Sequence, residues 1–145
     1  MDAIVQAKRV LEIFKEMSQI PRESGNEKGI SDYIVNFAKN LGLEVHQDDQ
    51  FNVVIKKPAS PGYENRPSII LQGHIDMVCV RDHDSNHDFS KDPIANIIEG
   101  EWMHADHTTL GADNGMGGAM MLAILEDDSQ QHGPMQLLFT TNEET

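Results

Sequence analysis

Residues 135–145 read MQLLFTTNEET, an apolar run from Met135 to Phe139 that suits a strand, then two threonines and an adjacent carboxylate pair, Glu143 and Glu144. Like charges side by side at the end of a buried strand repel, and a proton or a cation relieves the repulsion. In open α/β sheets ligands bind beyond the carboxyl ends of the strands, so an acid pair at that position bears on fold and function together. The same layout occurs upstream. There Ser68-Ile69-Ile70-Leu71, apolar enough for a strand buried on both faces, runs into Gln72-Gly73-His74-Ile75-Asp76.

Outward from these strands the hydrophobic period changes in a regular way. Val10, Leu11, Phe14 and Met17 recur near the helical period within residues 4–17, and Ile20-Pro21 stops the helix. Ser24 and Asn26 offer caps for a second helix with Ile30, Ile34, Phe37, Ala38 and Leu41 on one face and Gly42 as its stop. Leu43 and Val45 alternate with polar neighbours, and residues 51–55 are β-branched and apolar, so two short strands follow. Residues 58–67 and 81–93 read as loops, and 96–99 with 102–103 as a hairpin turning at Gly100-Glu101. Residues 115–125 read as a helix leading to the strand 135–141. This alternation predicts one α/β domain, a three-layer sandwich with a mostly parallel central sheet.

Composition narrows the function. Of 145 residues, 24 are acidic and 11 basic, a formal charge of -13 that repels phosphate backbones and anionic lipid headgroups. Nucleic acid and membrane are therefore not expected as partners. No apolar run approaches the roughly 20 residues of a bilayer span, and the N-terminus lacks the apolar core of a secretory leader; a cytoplasmic protein is expected. The one cysteine, Cys79, has no partner for an internal disulfide and reads as a small buried apolar residue.

Three clusters carry chemistry. His74 and Asp76 are two apart, so in an extended chain they point to one side. Asp113 sits among glycines in Thr108-Thr109-Leu110-Gly111-Ala112-Asp113-Asn114-Gly115, where the backbone can turn sharply and pass close to a bound group. No phosphate-loop pattern can be laid on these glycines, and Asp113 would repel a phosphate. Glu143 and Glu144 form the third cluster. A histidine and carboxylates on one sheet edge suit hydrolysis assisted by two divalent ions, zinc first, with manganese or cobalt as substitutes. A carboxylate that is not a ligand can then serve as general base.

Six stretches, IPRESGNEKGISDYIVNFAKNLGLEV (20–45), NVVIKKPAS (52–60), LQGHIDMV (71–78), HDFSKDPI (87–94), TTLGADNG (108–115) and TNEET (141–145), together resemble the aminoacyl-histidine (Xaa-His) dipeptidases, a branch of the co-catalytic zinc metallopeptidases. The resemblance implies that His74 binds one metal, Asp113 bridges both and Glu144 binds the second. It makes Glu143 the general base, places Asp76 behind His74, and suggests a cis peptide between Asp113 and Asn114. It further implies a dipeptide substrate, a homodimeric full-length protein, and residues 1–145 as the N-terminal part of the catalytic domain. The lid domain, a further aspartate ligand and a distal histidine would lie outside them, leaving an inactive fragment with an uncovered apolar face. His107 stands where relatives have a small residue, and either a ligand or a surface role is open to it. Two other readings are carried: a non-catalytic binding module, and an aminoacylase, carboxypeptidase or tripeptidase with the same metal core.

Overall fold

The computed structural model describes residues 2–145. Its elements, in order, are α1 (Ala3–Ser18), α2 (Lys28–Asn40), β1 (Glu44–Gln47), β2 (Val53–Lys57), β3 (Ile69–His74), β4 (Asn96–Glu99), β5 (Trp102–Ala105), α3 (Ala112–Glu126) and β6 (Met135–Thr140). Every helix and strand read from the sequence is present. Among the described residues no helix is long and apolar enough to cross a membrane.

The α/β class holds, but the sheet is mixed, not mostly parallel. Its order is β1-β2-β6-β3, and only β3 and β6 run parallel. The reason is local. The connection between β1 and β2 is a tight turn in which Asp48 Oδ1 accepts the Gln50 and Asn52 amides, each at 2.9 Å. So short a link permits only an antiparallel pair. Strands β4 and β5 form the expected hairpin as a separate two-stranded sheet.

One hydrophobic cluster organises the rest. Ile13, Phe14 and Met17 of α1, Ile30 and Ile34 of α2, and Leu122 and Leu125 of α3 pack with Val53 and Ile55 of β2 and Met135, Leu137 and Phe139 of β6. The strand residues in it recur at every second position, as one buried face requires. Those between them, Val54, Gln136, Leu138 and Thr140, are only half-buried. The described residues thus make two layers, helices on one sheet face, and the third layer of the expected sandwich is not among them. Strand β3 differs from its expectation for the same reason. It pairs only with β6, and Ile69 and Ile70 stand 49% and 64% exposed, not buried on both sides.

The start of α2 also departs from expectation. Its N-cap is Glu27, without a side-chain cap bond, and neither Ser24 nor Asn26 caps it. Leu41 falls at the C-cap and is exposed, while Gly42 takes the left-handed conformation that ends the helix.

Candidate metal centre

Parallel neighbours end together, so β3 and β6 place the chain that follows them on one rim. His74, the last residue of β3, is paired in register with Thr140, the last of β6. The chain beyond β6 brings Glu143 and Glu144 to His74, and the N-terminus of α3 brings Asp113. That helix is irregular where the acid sits. Asp113 and Asn114 have non-helical backbone angles, and the peptide between them is cis, as the resemblance suggests.

All three clusters assemble at one place. One ligand atom from each of His74, Asp113 and Glu144 lies within 4.8 Å of the others. His74 Nε2 is 3.0 Å from Asp113 Oδ1, 3.8 Å from Glu143 Oε2 and 3.9 Å from Glu144 Oε1. The imidazole is nearly buried, whereas the Asp113 carboxylate is exposed and Glu144 partly so. Rigid donor, open acids: the rim can admit an ion and a substrate from solvent.

The hydrogen-bonding around His74 fits a metal. Nδ1 lies 3.1 Å from the main-chain oxygen of Asp76, which can only accept, so the Nδ1 proton is held there and Nε2 faces the acids. Nε2 and Asp113 Oδ1 then need a proton or a cation between them. Burial alone would lower the His74 pKa, but the Asp113 hydrogen bond and the Asp76 charge outweigh it and hold it above the ordinary value of 6.5. That retained proton is the one a divalent cation would displace.

Asp76 is fully buried and is not one of the converging ligand atoms. Burial would raise its pKa, yet the Ser24 hydroxyl and the amides of Glu144 and Glu143 hold it below the usual carboxylate value. Ser24 Oγ donates to Oδ2 at 2.7 Å, Glu144 N to Oδ2 at 3.1 Å and Glu143 N to Oδ1 at 3.2 Å. The ionised side chain therefore holds the acid pair by its backbone.

The glycines on either side of Asp113 leave room for a side chain of the protein itself. A Cβ on Gly111 or Gly115 would lie 2.6 or 2.5 Å from Nη2 of Arg22. His107 lies outside the centre. It is exposed, with Nδ1 2.7 Å from Asp82 Oδ2, and it is not among the converging donors. Cys79 is half-buried and free, and burial together with the Glu23 charge pushes its thiol up to about 11, as an inert thiol requires.

No protein-family model matches the chain. It is 47% identical over 133 residues to the cytosol non-specific dipeptidase of Escherichia coli K12, a match covering 92% of the chain and 27% of that protein. The aminoacylhistidine dipeptidase of Vibrio alginolyticus superposes with a TM-score of 0.91 at 45% identity, over 94% of this chain and 28% of that one. Over more than nine-tenths of its length the chain is similar to these two dipeptidases. A tripeptidase of Staphylococcus aureus shares the fold at a TM-score of 0.76 and 27% identity, over 94% of this chain and 37% of that one. The chain spans little more than a quarter of the length of the Escherichia coli and Vibrio alginolyticus dipeptidases it matches.

Proposed function

We propose that the protein is a metal-dependent dipeptidase acting on short peptides, Xaa-His dipeptides foremost, and that residues 1–145 form the N-terminal part of its catalytic domain. The observation that carries this is the convergence of His74, Asp113 and Glu144 within 4.8 Å on one sheet rim. His74 and Glu144 would each hold one of two divalent ions and Asp113, with two oxygens, would bridge them. An imidazole with carboxylates suits zinc, and manganese or cobalt would substitute. When bound, such ions polarise the scissile carbonyl and lower the pKa of water.

The chain's own residues supply the rest. Glu143 is outside the tight trio and more than half exposed, with Oε2 3.8 Å from His74 Nε2. It accepts a proton from the attacking water and returns it to the leaving amine. Asp76 keeps Glu143 and Glu144 in place through their amides. The name of the Escherichia coli relative supports a cytosolic setting, and the resemblance a homodimer for the whole protein. Tripeptide hydrolysis is the second reading, favoured by the fold shared with the staphylococcal tripeptidase.

The test is to express the complete reading frame and assay dipeptides and tripeptides with zinc, manganese, cobalt or chelator. Xaa-His dipeptides should turn over only with metal. Glu143→Gln should lower kcat by a factor on the order of 10²–10⁴, the usual contribution of a general base. Turnover by Glu143→Gln equal to wild type would overturn the mechanism.

A further inference from the structure

The loop between α1 and α2 reaches each of the three chain segments that meet at the metal centre, with a different side chain for each. Arg22, only 2% exposed, donates from Nη1 to the Ile75 carbonyl at 3.2 Å and from Nη2 to the Gly111 carbonyl at 2.6 Å. Ile75 follows His74, and Gly111 lies two residues before Asp113. Ser24 donates its hydroxyl to Asp76, which in turn holds the amides of Glu143 and Glu144. Glu27, 3% exposed, accepts the Asn142 amide at 3.1 Å, one residue before the acid pair. Main-chain pairing fixes the loop itself, because Met77 N donates to the Arg22 carbonyl at 3.0 Å beside a bridge between Glu23 and Met77.

We infer that Arg22, Ser24 and Glu27 are positioning residues that set the spacing of His74, Asp113 and Glu144. None of the three touches the ligand atoms, so each acts through another residue. The physical case is burial. A guanidinium and a carboxylate taken out of water need compensating partners. Here the hydrogen-bond partners are main-chain groups of the ligand-bearing segments, and the Asp76 charge also favours Arg22, whose Nε is buried without a hydrogen-bond partner among the described residues. Burial lowers the Arg22 pKa to about 10, still well above neutrality, so the group remains charged. The space it occupies is kept open by Gly111 and Gly115, either of which would collide with it if given a Cβ. The backbone around Asp113 is shaped to fit Arg22, and Arg22 spans from there to the residue after His74.

This inference rests on the proposed metal site, and the test separates the two. Zinc affinity is measured by competition titration on protein from the complete reading frame, with the visible spectrum of the cobalt-substituted form and the Tm of the metal-free form beside it. Ser24→Ala and Glu27→Ala should each weaken zinc binding roughly 10–100-fold, the range found when groups that orient ligands are removed. They should also alter the cobalt spectrum, while the metal-free Tm changes little. Glu27→Gln, which keeps an acceptor for the Asn142 amide, should restore affinity. Arg22→Lys, which can reach one carbonyl at a time, should fall between. Wild-type zinc binding with affinities and spectra unchanged in Ser24→Ala and Glu27→Ala overturns the positioning role alone. So does a loss that follows metal-free Tm and is not restored in Glu27→Gln. A wild type that binds no zinc overturns both the role and the site.

Discussion

Single side chains divide into those whose chemistry is written in their neighbours and those whose chemistry depends on distant backbone. His74, Asp113 and Glu144 were readable because each follows an apolar run or a glycine-rich turn, and strand ends of one sheet share a rim. Arg22, Ser24 and Glu27 were not. In sequence they are ordinary polar residues after Pro21, and a serine before a helix reads as a cap; nothing local announces that Ser24 instead meets Asp76. His107 was ambiguous in sequence, and its place explains why. It bonds to Asp82 from a left-handed backbone conformation, and its main-chain oxygen accepts the Asp82 amide at 2.9 Å. That Asp82 hydrogen bond, then the Asp106 and Asp82 charges, raise its pKa above the ordinary 6.5. A folded-state pKa above the unfolded one gives stabilisation that is complete below the unfolded value and lost as pH rises through the folded one. Hydrogen-exchange protection of the Asp82 amide, corrected for intrinsic rates, should therefore fall as pH rises from below 6.5 through the raised value. In His107→Ala it should stay flat across that range.

At the scale of elements, hydrophobic period located every helix and strand, while partners and direction were harder. The apolar run at β3 looks the same for a central strand as for an edge strand, and only the sheet order distinguishes them. Helix ends show a similar limit. The C-terminus of α3 has no basic residue in its last turn, yet its carbonyls are satisfied from β2. Lys57, nearly buried, donates from Nζ to the carbonyls of Ile124, Leu125 and Asp127 at 2.9, 3.0 and 3.1 Å. It carries a positive charge to the negative end of the helix and fills acceptors that would otherwise be buried and unpaired. Lys57→Met keeps the stem and removes the donors. It should lower stability by about 3 kcal/mol in urea denaturation, the range for charged hydrogen bonds and orphaned carbonyls.

For the molecule as a whole, hydrophobic period predicted an α/β domain with an acidic rim, while an uncovered apolar face was expected only from the family resemblance. Periodicity reports which face of a strand is apolar, and it does not report what covers that face. Ile69 and Ile70 lie on β3, an edge strand paired with β6 on one side only, and are about half-exposed or more. Such an edge invites pairing with another chain. The isolated 145-residue chain should therefore self-associate with rising concentration in sedimentation velocity, and Ile70→Lys should shift it toward monomer. A chain that stays monomeric at every concentration would contradict this.

The sheet order has a further consequence for synthesis. β6 comes after all the other strands in the chain, yet it lies between β2 and β3 and is the partner of both. On the ribosome, the β1–β2 hairpin and β3 emerge with no neighbour in common and wait for residues 135–140. The nascent chain must keep its apolar strands from wrong partners until then, and His74, Asp113 and Glu144 cannot converge before residues 135–144 have been made.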